Sequence, residues 1–184
     1  MKVILLNGSP KSKGCTYTAL KIIENELINE GIEVKFYEVG NKPVIGCTGC
    51  TACRKLGKCV HDDLVNEVSK EIESADGFIV GSPVHYAAAS GAATSFLDRL
   101  FYSTDKNQLR HKFGASIVSC RRGGASATFD QLNKYFTINE MPIVSSVYWN
   151  QIHGNTPEEV VQDLEGVRTM KVLARNMAYL IKCK

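Results

Sequence analysis

The sequence predicts a single α/β domain built on a parallel β-sheet. Five strand-length apolar or alternating segments alternate along the 184 residues with five segments of helical periodicity. Because strands that alternate with helices are joined by right-handed crossovers, the strands run parallel and helices cover both faces. The apolar fraction of 44% provides enough side chains for one core. No internal repeat or linker divides residues 1–184, so we expect one domain.

The strands are predicted where short runs of apolar or alternating residues end in Gly, Ser or Pro. The first run is continuously apolar, as expected for a strand buried on both faces, and the second alternates. The predicted strands cover residues 3–6, 33–39, 77–81, 113–118 and 142–148.

The helices are predicted from apolar residues spaced three and four apart, together with start and stop signals. Gly31 is a stop signal, Asp62 or Asp63 is a cap, and Pro157 suits the first turn of the last helix. Asp98 and Arg99 are interpreted as a surface or interface pair. The predicted helices cover residues 16–30, 63–74, 91–102, 125–139 and 157–182.

Five parallel strands of this kind favour the flavodoxin-like order 2-1-3-4-5. In this order the loops after the first, third and fourth strands meet at the carboxyl edge of the sheet, where ligands bind. These three loops cover residues 7–15, 82–90 and 119–124 and are rich in Gly, Ser and charged residues. The sequence therefore predicts one crevice between them.

The loop after the first strand has the composition of an anion-binding loop. Ser9, Ser12 and Thr16 supply hydroxyl donors, Lys11 and Lys13 supply positive charge, and the following helix presents its N-terminus. The spacing matches neither the Walker loop nor the dinucleotide fingerprint. A phosphomonoester such as that of FMN suits this loop, and an ordinary polar connection is the alternative.

The other two loops supply candidates for the rest of a flat ligand. Tyr86 or His85 can pack on a ring face or lie at its edge, and small residues let the main chain approach closely. Arg121 or Arg122 can compensate negative charge on a cofactor or on a nicotinamide nucleotide. A solvated loop charge is the alternative for either arginine.

Three segments together resemble the NADPH-dependent FMN reductase branch of flavodoxin-like proteins, which includes the iron–sulfur flavoproteins. They are Gly8-Ser9-Pro10-Lys11 with Cys15-Thr16, Ser82-Pro83-Val84-His85-Tyr86, and Phe96-Leu97-Asp98-Arg99-Leu100. The resemblance covers nearly the whole chain. One departure is Cys15, which stands where many members have Asn, and a thiol is a weak donor.

The resemblance implies an FMN site distributed over the three loops. Ser9, Lys11 and Thr16 would hold the phosphate, residues 83–86 would line the isoalloxazine, and residues 119–124 would meet its polar edge. The predicted cofactor-binding residues are Ser9, Lys11, Cys15, Thr16, Pro83, Val84, His85, Tyr86, Ser119, Arg121, Gly123 and Gly124.

Four of the seven cysteines crowd into a loop with no clear periodicity, residues 41–61. Cys47, Cys50, Cys53 and Cys59 are accompanied by glycines that permit tight bends. Four thiolates at this spacing can ligate a [4Fe–4S] cluster or a structural zinc, and thiols without a metal are the third interpretation. The spacing is similar to the compact motif of iron–sulfur flavoproteins, which implies a cluster that exchanges electrons with FMN.

The function predicted from these features is an FMN-dependent oxidoreductase with NAD(P)H as electron donor and a flavin, quinone or similar acceptor. Because the flavin supplies the chemistry, no side chain is assigned a catalytic role. One alternative is an FMN or iron–sulfur electron carrier that oxidises no nicotinamide. The other is a redox sensor based on the cysteine loop.

Composition limits the partners and the compartment. The net charge of +3 and the absence of a basic cluster argue against nucleic-acid binding. No signal peptide or membrane-length apolar run is recognised, so we expect a cytoplasmic protein. We expect a small-molecule acceptor or a redox protein as partner. A homodimer or homotetramer is also expected, with Tyr148 and Trp149 as candidate interface aromatics.

Overall fold

A computed structural model describes all residues from 1 to 184 and confirms the α/β class. Five parallel strands form the sheet in the spatial order β2-β1-β3-β5-β6, and a short β4 pairs antiparallel with β3. The parallel strands therefore have the predicted order, and β4 is an addition. The strands are β1 (Lys2–Asn7), β2 (Glu33–Glu38), β3 (Gly77–His85), β4 (Ala88–Ala89), β5 (Phe113–Cys120) and β6 (Gln151–His153).

The helices lie on both faces of this sheet. Alternate side chains of β1 divide between the two layers: Ile4 and Leu6 join the core with α3, α4 and α6, whereas Val3 and Leu5 pack with α1 and α8. The helices are α1 (Cys15–Asn29), α2 (Cys53–Leu56), α3 (Leu64–Ile72), α4 (Gly91–Ser103), α5 (Lys106–Leu109), α6 (Ala125–Thr137), α7 (Pro157–Val160) and α8 (Leu164–Lys182).

The prediction of a fifth strand over residues 142–148 is wrong. This segment makes one parallel bridge, between Ile143 and Gly114, and the edge strand β6 forms later. The reason is that side chains bind this segment to α8. Ser146 donates to the Thr169 carbonyl at 2.7 Å, and Asn176 donates to the Ser145 carbonyl at 2.8 Å. The edge strand therefore lies at Gln151–His153, between the predicted fifth strand and the predicted last helix.

The prediction of one continuous last helix is also corrected. Pro157 does occupy the first turn of α7, but the helix stops at Val160 and α8 begins after Asp163. The Asp163 carboxylate accepts from Gly166 N–H at 3.0 Å, which caps α8, and from His153 N–H at 2.7 Å, which supports β6. The break lets one carboxylate serve both elements.

The third strand extends beyond its predicted end. Residues 82–85 continue β3, and residues 86 and 87 turn the chain into β4. Both Tyr86 and Ala87 have positive φ, of 52° and 58°, as in the two-residue turns that match the twist of a hairpin. The predicted loop is therefore a hairpin whose tip stands above the carboxyl edge of the sheet. None of the helices is both long and apolar enough to cross a lipid bilayer.

The double role of Asp163 gives a stability prediction. Asp163→Ala removes the cap of α8 and leaves the His153 N–H without its acceptor, so we expect the free energy of unfolding to fall by about 2 kcal/mol. Urea denaturation measures this change. The control is Asp130→Ala at an exposed position of α6, which we expect to lie within about 0.5 kcal/mol of the wild type. Equal losses in the two variants would contradict the assignment.

Candidate functional site

The loop between β1 and α1 presents free backbone donors at the carboxyl edge of the sheet. Gly14 caps α1 without a side-chain hydrogen bond, and no protein acceptor meets the N–H groups of Cys15, Thr16 and Tyr17. The loop is braced from inside, because Ser9 N–H donates to Asn7 Oδ1 at 3.1 Å and Lys11 N–H to Ser9 Oγ at 3.1 Å. Open donors at a helix N-terminus favour an anion.

A hydroxyl pair connects this loop to the end of β5. The Oγ1 of Thr16 lies 2.7 Å from the Oγ of Ser119, and both side chains are buried. Since each hydroxyl has one proton, one hydroxyl donates to the other and the second proton remains available to a ligand. Two of the predicted residues, 103 positions apart in sequence, are thus in direct contact.

Most of the predicted cofactor-binding residues line one cleft of about 170 Å³. Tyr86 and Gly123 line an open cleft beside it, with which it shares Val84, Cys120 and Arg121. Gly124 lines neither cleft and is instead the N-cap residue before α6, with a φ of +91°. The predicted residues in the first cleft are Ser9, Lys11, Cys15, Thr16, Pro83, Val84, His85, Ser119 and Arg121.

Three residues of this cleft lie outside the predicted site, namely Pro10, Gly154 and Asn155, and Cys120 lies within the predicted segment 119–124 without being singled out. Gly154 and Asn155 directly follow β6, so the general rule that ligands bind at the carboxyl ends of strands applies to them too. They were missed because the last strand was predicted too early. Gly154 N–H donates to the Cys120 carbonyl at 3.1 Å, which holds this loop against β5.

The thiol of Cys15 is held by the loop that follows β6. Its Sγ donates to the Gly154 carbonyl at 3.7 Å, and burial raises the pKa of its thiol. Cys120 behaves similarly: its Sγ lies 3.4 Å from His153 Nδ1, and burial raises the pKa of that thiol as well. Both sulfurs therefore stay neutral at physiological pH and act as packing groups at the cleft wall.

A second site lies at the cysteine loop, residues 41–61. The sulfur-bearing residues Cys47, Cys50, Cys53 and Cys59 line one pocket, which encloses about 20 Å³. All four are free thiols, and Cys47 and Cys50 are exposed. No group of three or more His, Cys, Asp or Glu side chains is arranged around a common metal position.

The floor of this pocket is formed by α4, where Arg99 is 1% exposed. Its interpretation as a surface pair with Asp98 is wrong. The guanidinium makes a two-pronged ion pair with Asp63, at 2.6 and 2.9 Å, and Asp98 instead accepts from Tyr135 Oη. Nothing local in the sequence reveals this burial, because it is created by the cysteine loop folding back over the helix.

The five N–H donors of Arg99 all have acceptors. Besides Asp63, they meet the Ile45 carbonyl at 3.5 Å, the His61 carbonyl at 3.1 Å and the Cys59 Sγ at 3.3 Å. Burial opposes the charge, but the bonds to Asp63 and Cys59 outweigh it and raise the pKa of Arg99. Although burial alone would raise the pKa of Asp63, its bonds to Arg99 and to Val65 N–H lower it.

Comparison with known proteins identifies the family. A family model described as NADPH-dependent FMN reductase matches residues 1–156. The chain belongs to the NADPH-dependent FMN reductase family. This membership confirms the resemblance noted in the sequence and makes the chain an FMN-dependent oxidoreductase.

Curated relatives extend the match over the full chain. An iron–sulfur flavoprotein of Methanocaldococcus jannaschii is 32% identical, with 99% of this chain and 98% of the relative covered. An iron–sulfur flavoprotein of Methanosarcina thermophila is 28% identical, with 99% of this chain and 96% of the relative covered. Both alignments include the four-cysteine loop, since they span nearly all of this sequence.

Solved structures confirm the fold. RosB, with a bound formylated riboflavin phosphate, superposes with a TM-score of 0.78 at 15% identity, covering 100% of this chain and 79% of that one. The NAD(P)H:acceptor oxidoreductase FerB of Paracoccus denitrificans gives 0.73 at 15% identity, covering 99% and 97%. An archaeal flavodoxin gives 0.67 at 16% identity, covering 99% of both chains. This member of the family thus has the flavodoxin-like fold.

The first cleft fits the FMN that the family uses. Unpartnered N–H groups, a free hydroxyl proton and the exposed Lys11 suit a phosphate, and no carboxylate side chain lines the cleft to repel one. The hairpin and the loop after β5 border the adjoining open cleft, which suits a flat ring system. The residue assignments themselves remain predictions.

The hydroxyl pair provides a direct test of the phosphate site. Thr16→Val keeps the shape of the side chain but removes the hydroxyl at the helix N-terminus and its contact with Ser119. The Ser119 hydroxyl then loses the partner that orients it, so we expect FMN affinity to fall about tenfold. Quenching of FMN fluorescence on titration into apoprotein measures the affinity. The control is Thr137→Val at the exposed end of α6. Unchanged affinity in Thr16→Val would place the phosphate elsewhere.

Proposed function

We propose that this FMN reductase is an iron–sulfur flavoprotein, with FMN in the first cleft and a [4Fe–4S] cluster on the cysteine loop. The observation that carries the proposal is that all four loop cysteines are free and line one pocket. The full-length relatives named iron–sulfur flavoproteins support it. When bound, FMN supplies two-electron chemistry and the cluster one-electron chemistry, which together connect hydride donors to one-electron acceptors.

The loop has the donor chemistry that such a cluster needs. The pocket lining contains four sulfurs and no carboxylate, and the Asp63 carboxylate just beyond the loop is directed at Arg99. A cluster is larger than the present pocket, so the loop has to open around it. Space for this exists, because no atom lies within 4 Å of a Cβ built on Gly49 or Gly57.

Helix α4 connects the two sites. Its cap, Ser90, donates to the Gly8 carbonyl at the FMN loop, and Arg99 on the same helix bonds to Cys59. Nine residues of α-helix separate them, or roughly 14 Å along the axis. The protein thereby holds both redox sites on one rigid element.

The cluster is tested by iron and sulfide assays, together with a visible spectrum, on protein purified without oxygen. We expect about four irons per chain in the wild type and in Cys183→Ala, because Cys183 is exposed and outside the loop. In Cys50→Ala we expect the iron content and the broad cluster absorption to be lost, while the flavin bands remain. Flavin bands without iron in the wild type would instead favour an FMN reductase whose cysteine loop acts as a structural or redox-sensing element.

NAD(P)H is proposed as the electron donor. Arg121 and Arg122 are exposed beside the open cleft and take part in none of the ion pairs of the molecule. Free guanidinium groups at this position suit the phosphates of a dinucleotide whose nicotinamide reaches the flavin.

Anaerobic stopped-flow mixing with NADH and with NADPH tests this proposal, because reduction bleaches the flavin. We expect bleaching in the wild type. When both Arg121 and Arg122 are changed to Gln, we expect the nucleotide concentration that gives the half-maximal rate of bleaching to rise about tenfold. The matched control is Arg168→Gln on the exposed side of α8. Flavin that stays oxidised with both nucleotides would make the chain an electron carrier instead.

Partners and compartment are also proposed. The exposed aromatics Tyr148 and Trp149, with ring centroids 5.1 Å apart, support assembly into a homodimer or homotetramer through this segment. A small-molecule acceptor or a redox protein would receive the electrons. Seven free cysteines suit the reducing conditions of the cytoplasm.

A further inference from the structure

We propose that Arg99 and Ser103 form a donor pair: both donate hydrogen bonds to the sulfur site, the cysteine sulfurs of this pocket, and so raise the reduction potential of the cluster bound there. The proposal rests on the cluster assigned under the proposed function. Both residues lie on α4, four positions apart and so on one face of the helix, and both line the cysteine pocket. They are positioning residues, because they act on the redox group through its sulfur ligands.

The first part of the donor pair is a buried positive charge with a hydrogen bond to sulfur. Arg99 Nε donates to Cys59 Sγ at 3.3 Å, and the remaining four donors are taken by Asp63 and by the carbonyls of Ile45 and His61. The guanidinium therefore holds both ends of the loop while its Nε–H points at the sulfur. Lysine has three donors and no fork, so it cannot reproduce this arrangement.

The second part is a hydroxyl without a partner. Ser103 is 8% exposed, and its Oγ is buried with no hydrogen-bond partner in the protein. Other serines near this helix are satisfied: Ser69 bonds to Thr104 at 2.7 Å, and Ser90 bonds to Gly8. A buried hydroxyl left open costs free energy unless something accepts from it, and the pocket that it lines is the sulfur site.

The electrostatic consequence follows from the sign of the charges. A cluster held by four thiolates is anionic, and it becomes more negative when it accepts an electron. Donors to sulfur and a nearby positive charge stabilise the reduced form more than the oxidised form, so they raise the potential. Arg99 and Ser103 would thereby make the site easier to reduce than the same four cysteines without them.

The test is a redox titration of the cluster, followed by its absorption or EPR signal, with Ser103→Ala as the main variant. Because Ser103 Oγ has no protein partner, its removal breaks no hydrogen bond within the protein, so we expect Ser103→Ala to fold and to keep its four cysteine ligands. We expect the ratio of reduced to oxidised cluster at a fixed potential to fall several-fold. For Arg99→Lys we expect a fall of about tenfold, which for one electron is about 59 mV. The control is Ser126→Ala at an exposed position of α6, away from the pocket lining.

The outcomes separate this inference from the function on which it rests. Lower potentials in Ser103→Ala, with full iron content and an unchanged control, support the donor pair even if Arg99→Lys fails to fold. Potentials equal to the wild type in a fully loaded Ser103→Ala would overturn it while leaving the iron–sulfur function intact. A wild-type chain that binds no iron under anaerobic conditions would overturn both.

Discussion

The close approach of β1 to the first turn of α4 is the constraint on which both sites depend. Gly8 N–H donates to the Gly81 carbonyl at 2.8 Å, and the Gly8 carbonyl accepts from Ser90 Oγ at 2.6 Å. A Cβ at Gly8 would lie 2.6 Å from that of Ala93, so only glycine allows the approach. This contact fixes where the FMN loop leaves the sheet and where α4 begins.

Because the first turn of α4 is anchored in this way, the helix also fixes the positions of the residues further along it. Residues at the start of α4 border the FMN loop, while Arg99 and Ser103, two to three turns later, lie under the cysteine loop. The apolar face between them packs Phe96, Leu97 and Leu100 into the core beneath the sheet. The spacing of the two sites is thus determined by core packing rather than by the irregular loop, which has only one short helix of its own.

Local signals in the sequence predicted the structure correctly wherever the residues that decide it lie close together in the chain. The apolar run of β1, the stop at Gly31 and the cap at Asp63 each act within a few residues, and the three loops meet because parallel strands share an edge. Predictions failed where distant groups decide. Hydrogen bonds between residues 145 and 146 and helix α8 draw this segment out of the sheet. Because the last strand was therefore predicted too early, the contribution of the loop after β6 to the FMN cleft was also missed.

Arg99 shows why the cysteine loop needs a polar anchor. Residues 41–61 bury few apolar side chains, so hydrophobic packing cannot select one arrangement of the loop. Arg99 is buried whereas the side chain of Asp63 is 45% exposed, so an arrangement of the loop that separates the two leaves the guanidinium as an unpaired buried charge, which penalises that arrangement. The guanidinium binds Ile45 before the first cysteine and Cys59, His61 and Asp63 at the end. Since it does not touch residues 47–53, the middle of the loop can open to admit a ligand while both ends of the loop stay fixed.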